Sequence, residues 1–287
     1  MNTKILKMQQ SVKSVESIYR CPICNSKMKV ENISIVCKRR HCFDLSSKGY
    51  INFMPSNKFV KYSKELFENR KEIFDNGFYD KVKEEIENVM LKYTTFNKDV
   101  NGINLLDVGC GEGFFSRKIL ENKTNKINTF AMDISKDAVA IASKLEKGAN
   151  FIVADLSNIP ISDDSIDVIL NILTPACYKE FIRVLKKDGI VIKIVPGTEY
   201  LKQIRQSMLN QLENKEYSNK KVLDYFDKKI KPIYEKRVKY SLTLTKEQLQ
   251  CFLKMTPMTM NVDVNSLNVD NIENITIDLY IIVGKKA

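Results

Sequence analysis

Short apolar runs alternate with amphipathic helical patterns along most of the chain after residue 103. The runs that predict strands are 103–108, 128–132, 151–154, 167–173, 190–195 and 276–283. Apolar runs separated by helical patterns are typical of a mainly parallel sheet with helices on both faces. We therefore expect an α/β fold in the larger, carboxyl-terminal part of the chain.

This patterning divides the chain into three parts. Residues 1–58 include a turn-rich segment with too few apolar residues for a core of its own, and residues 59–100 have the spacing of a helical connector. Residues 101–287 carry the alternating pattern. Within them, residues 198–256 are charged and lack glycine, and we interpret them as a helical insertion before the last strand.

Four of the seven cysteines and the only histidine occur close together near the amino terminus. Cys21, Cys24, Cys37 and His41 give the spacing Cys-x2-Cys-x12-Cys-x3-His, which suits tetrahedral zinc. Four protein ligands leave no open position, so the metal would be structural and would stabilise a segment without its own core. Because neighbouring residues of a strand point to opposite sides, either His41 or Cys42 could complete the set. The alternative is a group of buried cysteines without metal.

A glycine-rich segment directly follows the strand predicted at 103–108. Gly109, Gly111 and Gly113 form a Gly-x-Gly-x-Gly pattern, and glycine lets a ligand approach the backbone closely. The spacing differs from that of dinucleotide-binding and phosphate-binding loops. Asp107, before the first glycine, would repel a phosphate but suits a cationic, methionine-type ligand. The segment therefore predicts a cofactor loop.

Polar residues also occur at the ends of the next three predicted strands. Asp133 comes 20 residues after Gly113, where a carboxylate can accept both hydroxyls of an unphosphorylated ribose. Asp155 follows the third strand, where it can reach an adenine amino group, and Asn171 ends the fourth, facing the expected methyl-transfer site. Each acid alone is more often a surface or helix-capping residue. The order strand, glycine loop, helix, strand, Asp133, helix, strand, Asp155 resembles the seven-stranded S-adenosylmethionine-dependent methyltransferase superfamily.

Together, the cysteine cluster and this core resemble the 23S rRNA (guanine-N1)-methyltransferases, which modify a guanosine in hairpin 35. The resemblance extends from about Cys21 to the carboxyl terminus. It rests on the segments Cys21-Pro22-x-Cys24, Cys37-x-x-Arg40-His41-x-Phe43-Asp44, Gly49-Tyr50-x-Asn52-x-x-Pro55, Asp75-x-Gly77-x-Tyr79, Leu106-Asp107-x-Gly109-Cys110-Gly111-Glu112-Gly113 and Pro196-Gly197.

The resemblance implies a seven-stranded, Rossmann-like class I methyltransferase sheet with a small N-terminal zinc-binding domain that recognises RNA. It implies that His41 is the fourth zinc ligand, with Cys42 outside the zinc shell. It also implies a homodimer that binds 23S rRNA. It adds Tyr79, Glu112 and Tyr200 to the cofactor residues, although position 200 is commonly histidine in the family. The full set expected to bind S-adenosylmethionine is Tyr79, Asp107, Gly109, Gly111, Glu112, Gly113, Asp133, Asp155 and Tyr200.

The implied reaction is direct transfer of the methyl group to N1 of an unpaired guanine. Transfer to a ring nitrogen requires no catalytic metal and no covalent cysteine intermediate. The residue that accepts the N1 proton cannot be named from the sequence. Asp155, Asn171 and bulk water are all candidates.

The distribution of charge supports an RNA substrate. The chain has a net charge of +11, and residues 1–60 contain eleven Lys and Arg against three acidic residues, while residues 101–200 contain twelve against thirteen. A basic module suggests a polyanionic partner, although a solvated basic face is the simpler alternative. This charge disfavours a small-molecule methyltransferase with a zinc domain. The intact glycine and aspartate pattern disfavours an RNA-binding protein whose methyltransferase core is inactive.

The hydropathy of the chain argues against a membrane protein. No run approaches eighteen consecutive apolar residues, and the first ten residues lack the apolar segment of a signal peptide. We therefore expect a cytoplasmic protein with no membrane partner.

Overall fold

A computed structural model describes residues 3–54, 62–94, 102–121, 126–146, 148–208, 218–260, 262, 264 and 267–286. The domain boundaries expected at residues 58 and 100 lie outside the described residues. No described helix is both long and apolar enough to cross a membrane.

The described residues before residue 94 form three α-helices and four short strands, besides a short 3-10 helix at Glu16–Ile18. In chain order these are α1 (Thr3–Ser14), β1 (Met28–Glu31), β2 (Ser34–Cys37), β3 (Cys42–Asp44), β4 (Tyr50–Asn52), α2 (Lys64–Asp75) and α3 (Asp80–Tyr93). Strands β1, β2 and β3 form a small antiparallel sheet. Ser63 caps the amino terminus of α2, because its hydroxyl accepts a hydrogen bond from the Leu66 amide.

The remaining part alternates strands and helices, as the hydrophobic pattern predicts. The elements are β5 (Ile103–Val108), α4 (Phe114–Glu121), β6 (Ile127–Asp133), α5 (Lys136–Leu145), β7 (Asn150–Val153), β8 (Ile166–Ile172), α6 (Tyr178–Val184), β9 (Leu185–Pro196), α7 (Lys202–Ser207), α8 (Lys220–Asp227), β10 (Lys231–Thr243), α9 (Lys246–Met255) and β11 (Asn274–Lys285).

The main sheet has eight strands in the order β10-β11-β9-β8-β5-β6-β7-β4. The neighbours from β9 to β4 pair in parallel, whereas β11 runs antiparallel to both β9 and β10. Helices cover both faces, so the central strands are apolar on both sides and read as continuous hydrophobic runs. The predicted α/β fold with a mainly parallel sheet is confirmed.

Strand β4 joins the amino-terminal part of the chain to the main sheet. Tyr50, Ile51 and Asn52 pair in parallel with Phe151, Ile152 and Val153 of β7. This strand is additional to the seven expected. A three-residue strand produces no recognisable periodicity, so β4 could not be predicted from the sequence.

The amino-terminal part also shares a hydrophobic core with the main sheet. Tyr19 is fully buried, with its ring 5.9 Å from that of Phe130 in β6, in an edge-to-face contact. Val12 and Val15 from the region of α1 lie in the same core cluster as strands β5 to β9. Residues 3–54 are therefore stabilised by contact with buried apolar side chains of the main sheet as well as by their own small sheet.

The structure differs from the expected helical insertion at 198–256. Residues 231–243 form β10, which pairs with β11 along its whole length and is the edge strand of the main sheet. Half-buried Val238, Tyr240 and Leu242 alternate with exposed charged or polar residues. One face of β10 lies in solvent, and its many charges obscured this two-residue period.

We expect Ile51→Ala to destabilise the whole chain, because Ile51 of β4 is completely buried in the shared core. Loss of its side chain should leave a cavity and lower the free energy of unfolding by about 2–5 kcal/mol. Urea unfolding followed by circular dichroism measures this loss. Ile23→Ala is the control, because Ile23 is 64% exposed and its truncation should change stability by less than about 0.5 kcal/mol. Equal effects of the two substitutions would show that β4 does not contribute to the core.

Candidate functional site

A cavity of about 660 Å³ lies at the carboxyl ends of β5, β8 and β9. This edge is where ligands bind in parallel α/β sheets, and the volume suits a cofactor or nucleoside. The expected cofactor residues that line it are Tyr79, Asp107, Gly109, Glu112 and Tyr200. The structure therefore brings residues from three separate segments of the chain to one site.

The glycine loop between β5 and α4 requires the absence of side chains. Gly109, Gly111 and Gly113 have φ values of 72°, 57° and 80°, in the left-handed region that favours glycine. A Cβ atom at Gly109 would lie 2.5 Å from Thr174 Oγ1, and one at Gly113 would lie 2.8 Å from Ala142 Cβ. Glycine at 109 and 113 is thus needed for close packing of the loop against its neighbours.

Asp133 at the end of β6 holds this loop in place. The Gly111 amide donates to Asp133 Oδ2 at 3.0 Å, and the Ser135 amide donates to Oδ1 at 2.8 Å. Each carboxylate oxygen can accept a further bond, so these contacts do not prevent binding of ribose hydroxyls. Asp133, Gly111 and Gly113 are not among the described residues that line the cavity. They hold the loop whose other residues do line it.

Two buried carboxyl groups line the cavity. Asp107 accepts a hydrogen bond from Ser116 Oγ at 2.6 Å, and burial raises the pKa of Asp107 to about 7. Burial likewise raises the pKa of Glu112 to about 7, and its Oε2 has no hydrogen-bond partner among the described residues. A buried polar atom normally has a partner, which a bound ligand can supply. S-adenosylmethionine carries positive charge on its sulfur and its amino group, so these carboxyls fit that cofactor.

A pair of tyrosines lines another part of the same cavity. The hydroxyl oxygens of Tyr79 and Tyr200 are 2.6 Å apart, and both side chains are buried. Burial raises the pKa of both phenols, so the pair shares a hydrogen bond between neutral hydroxyls. Arg70 of α2 also lines the cavity, and its Nη2 donates to the Met255 carbonyl at 3.2 Å. Arg70 was not among the expected cofactor residues.

Asp155 and Asn171 are already engaged by neighbouring groups. Asp155 Oδ1 accepts hydrogen bonds from the amide and the hydroxyl of Ser157, at 2.9 and 2.8 Å. The Asn171 amide nitrogen donates to the Pro175 carbonyl at 2.8 Å. Neither side chain is among the described residues that line the cavity. Their proposed catalytic roles stay predictions.

Lys193 of β9 also lines the cavity, although the sequence did not predict it as a site residue. Its Nζ donates to Asn171 Oδ1 at 2.5 Å and to the Thr174 carbonyl at 3.2 Å. The side chain is only 3% exposed, and burial lowers its pKa to about 8. The one available signal was a lysine within the apolar run 190–195.

The four expected zinc ligands form a compact cluster beside the small sheet, with Cys37 at the end of β2 and the other three in adjoining turns. The ligand atoms of Cys21, Cys24, Cys37 and His41 all lie within 4.8 Å of one another. His41 Nδ1 is 3.5 Å from Cys21 Sγ and 3.4 Å from Cys37 Sγ. Such separations suit ligands placed around one tetrahedral ion at metal–ligand distances of about 2.0–2.3 Å. Cys42 is exposed and is not a member of the cluster.

Two protein families match the two parts of the chain. The family described as "Methyltransferase domain" matches residues 99–245, which carry the glycine loop and most of the main sheet. The family described as "RlmA, N-terminal", a zinc ribbon, matches residues 19–64, which contain the cysteine and histidine cluster.

One relative aligns with nearly the whole chain. The Bacillus subtilis (strain 168) protein "Putative 23S rRNA (guanine-N(1)-)-methyltransferase YxjB" is 33% identical over 278 residues, 94% of this chain and 98% of that protein. The chain belongs to the 23S rRNA (guanine-N1)-methyltransferase family. Another relative, the "23S rRNA (guanine(748)-N(1))-methyltransferase" of Streptomyces fradiae, is 22% identical over 89% of this chain and 90% of its own length. The solved PH0226 protein of Pyrococcus horikoshii OT3 aligns with 73% of this chain and 91% of its own at 17% identity and a TM-score of 0.46.

Membership of this methyltransferase family establishes the broad function. The chain is an S-adenosylmethionine-dependent rRNA methyltransferase. The expected class I methyltransferase sheet with a small zinc-binding domain is confirmed, as are S-adenosylmethionine and structural zinc as its cofactors.

We expect Lys193→Met to reveal the charge state of the buried amine. Because the folded-state pKa is about 8 instead of 10.5, the unfolded chain binds more protons here between these pH values. The native protein should therefore gain about 2 kcal/mol relative to Lys193→Met as the pH rises from 7 to 10. Urea unfolding of both proteins at each pH measures this gain.

The matched control for this measurement is Lys186→Met. Lys186 lies on the same strand and is paired with Asp167 at 2.8 Å, so its removal corrects for the loss of one positive charge. The same pH dependence in both variants would mean that the buried amine is not responsible.

Proposed function

We propose that the chain methylates N1 of a guanosine in hairpin 35 of 23S rRNA. The observation that carries the proposal is the cavity, in which buried carboxyls suited to a cationic cofactor line a space large enough for part of a nucleoside as well. The choice of hairpin 35 is supported by the resemblance of the sequence motifs to this family. The choice of N1 is supported by the printed names of the relatives.

When bound, S-adenosylmethionine supplies a methyl group on a positively charged sulfur. We assign its binding to Tyr79, Asp107, Gly109, Gly111, Glu112, Gly113, Asp133, Asp155 and Tyr200. The carboxyl groups of Asp107 and Glu112 favour a cationic ligand, because both are buried from solvent. Gly109 leaves the backbone open to a ligand, and Asp133 fixes the loop through the Gly111 amide.

The acceptor nitrogen places a condition on the RNA. N1 lies on the Watson–Crick edge of guanine, so the base must be unpaired or extruded before it can enter the cavity. The chain then accelerates transfer mainly by holding N1 in line with the methyl group. Asp155 and Asn171 are candidate acceptors of the N1 proton, although Asn171 Oδ1 already accepts a hydrogen bond from Lys193.

We assign RNA recognition to residues 1–58, with residues 59–100 as the connector and 101–287 as the methyltransferase domain. The support is the charge of the small sheet and its loops. Its exposed basic residues are Lys27, Lys29, Lys38, Arg39, Arg40 and Lys48. Phosphate contacts from such residues supply affinity without sequence preference, so they would position the rRNA while the cavity selects the base.

The resemblance to the family further supports two properties of the assembly. We propose that two copies form a homodimer, so that paired amino-terminal parts bind one rRNA between them. Because the substrate is ribosomal RNA, we propose that the enzyme acts in the cytoplasm.

We propose Cys21, Cys24, Cys37 and His41 as the zinc ligands, and expect about one zinc ion per chain by atomic emission. His41→Ala should lose most of the metal, because a ligand is removed and three remain. Cys42→Ala is the matched control and should retain the full amount, since Cys42 lies outside the cluster. Zinc that is kept by His41→Ala and lost by Cys42→Ala would assign the fourth position to Cys42.

We expect the purified enzyme and S-adenosylmethionine to produce a new primer-extension stop in hairpin 35, using 23S rRNA from a strain that lacks the gene. Asp133→Asn weakens the charge-assisted contacts that hold the loop, and should lower kcat/KM about 10- to 100-fold. A stop at a guanine elsewhere would keep the enzyme class and overturn the choice of hairpin. No N1-methylguanine at any position would overturn the proposed function.

A further inference from the structure

Lys193 occupies an unusual position for a lysine, in the centre of the main sheet. In the strand register it lies between Asn171 of β8 and Ile282 of β11, at the carboxyl end of the parallel strands. Its side chain is almost fully buried and lines the cavity. Lysine is rarely buried to this extent unless an acidic group pairs with it.

No acidic partner accompanies Lys193. Its two hydrogen-bond acceptors are neutral oxygens, Asn171 Oδ1 and the Thr174 carbonyl, and it forms no ion pair with any carboxylate in the described part of the chain. Lys186 of the same strand shows the usual arrangement, because Asp167 lies 2.8 Å from its Nζ. A buried ammonium without a counter-ion is unfavourable, so a larger fraction of this amine is neutral near neutral pH than of an exposed lysine.

A neutral amine in this position is arranged as a base. It has two N–H groups and one lone pair, and the two neutral oxygens around Lys193 accept both N–H groups. The lone pair is then left for a proton. Burial lowers the pKa of the amine to about 8, close to the pH at which a general base is most effective.

Lys193 is also close to the cofactor loop. Its Nζ is 3.2 Å from the carbonyl oxygen of Thr174. The side chain of Thr174 packs against the loop so tightly that a Cβ atom at Gly109 would lie 2.5 Å from its Oγ1. One residue therefore separates the amine from the loop that is proposed to hold the cofactor.

We propose that the neutral amine of Lys193 accepts the N1 proton of guanine during methyl transfer. This inference rests on the proposed function and assigns the N1 proton to Lys193 instead of to Asp155 or Asn171. Asn171 is then a positioning residue, because its amide oxygen orients Nζ and its own nitrogen is fixed by the Pro175 carbonyl.

The step balances in atoms and charge. The N1–H bond breaks and its proton bonds to Nζ, while the electron pair at N1 forms the new bond to the methyl carbon. The carbon–sulfur bond breaks, and its electron pair stays on sulfur. Positive charge thus moves from the sulfonium to the Lys193 ammonium, which afterwards gives its proton to water.

The test is chemical rescue of Lys193→Ala by added amines. We expect single-turnover methylation of the rRNA at saturating S-adenosylmethionine to fall about 10²- to 10⁴-fold in this variant. Small primary amines such as methylamine, ethylamine and 2-fluoroethylamine should restore at least about a tenth of the lost rate. Compared at equal concentrations of the neutral amine, the restored rate should increase with the basicity of the amine. A purely structural role for Lys193 would not produce this trend.

Two further variants separate the base from the charge. Lys193→Arg keeps a cation but cannot act as a base near neutral pH, so it should remain as slow as Lys193→Ala and should not respond to amines. Lys186→Met is the matched control and should keep the native rate within about twofold, since its partner Asp167 lies at the opposite end of these strands. Calorimetric titration with S-adenosylmethionine should give the native affinity for all these proteins.

The outcomes distinguish this inference from the proposed function. If native enzyme makes no N1-methylguanine, the proposed function fails. If native enzyme is active and Lys193→Arg keeps its rate, or if Lys193→Ala binds the cofactor normally and no amine rescues it, only the role of Lys193 as base is overturned. Should Lys193→Ala fail to fold, Lys193→Met retains the side-chain volume. A native rate for Lys193→Met would then overturn the inference, and a loss matching that of Lys193→Arg would support it.

Discussion

The free energy required to bury an ionisable group governs the organisation of this protein. Three ionisable groups are buried at the carboxyl edge of the main sheet: Asp107 on β5, Glu112 in the loop that follows it and Lys193 on β9. Burial moves the pKa of Asp107 and Glu112 upward and that of Lys193 downward, so each is driven toward its neutral form. A cationic ligand stabilises the charged carboxylates, whereas the amine has no such partner. The same physical effect therefore prepares one set of groups for binding and the other for proton transfer.

The amino-terminal part solves a different problem, which is to fold with few apolar residues. Its cysteine and histidine cluster replaces part of a hydrophobic core with metal–ligand bonds. The remainder of its stability comes from the main sheet, through β4 and the buried ring of Tyr19. The surface can then carry many basic residues, because these exposed side chains lie outside the core. Zinc and the shared core together allow a small module to be both folded and strongly positive.

Much of the fold and of the site could be predicted from the sequence, and the exceptions have physical reasons. Central parallel strands are apolar on both faces and produce continuous runs, while metal ligands and loop glycines must keep a fixed spacing. Strand β10 is an edge strand whose charges hid its period, and β4 is too short to have one. Lys193 could not be assigned because a lysine in an apolar run does not disclose whether an acid will face it. Only the three-dimensional register placed it between Asn171 and Ile282, where it forms no ion pair with a carboxylate in the described part of the chain.

The pairing of β4 with β7 has a consequence for the order in which the chain folds during synthesis. Residues 50–52 leave the ribosome about a hundred residues before residues 151–153, with which they pair. The zinc cluster can assemble early from local segments, yet its attachment to the sheet must wait until β5, β6 and β7 have emerged. Contacts between distant segments form slowly because a long loop must first close. The first module to be translated is therefore completed only after the first three strands of the second have emerged, and bound zinc can stabilise it during that interval.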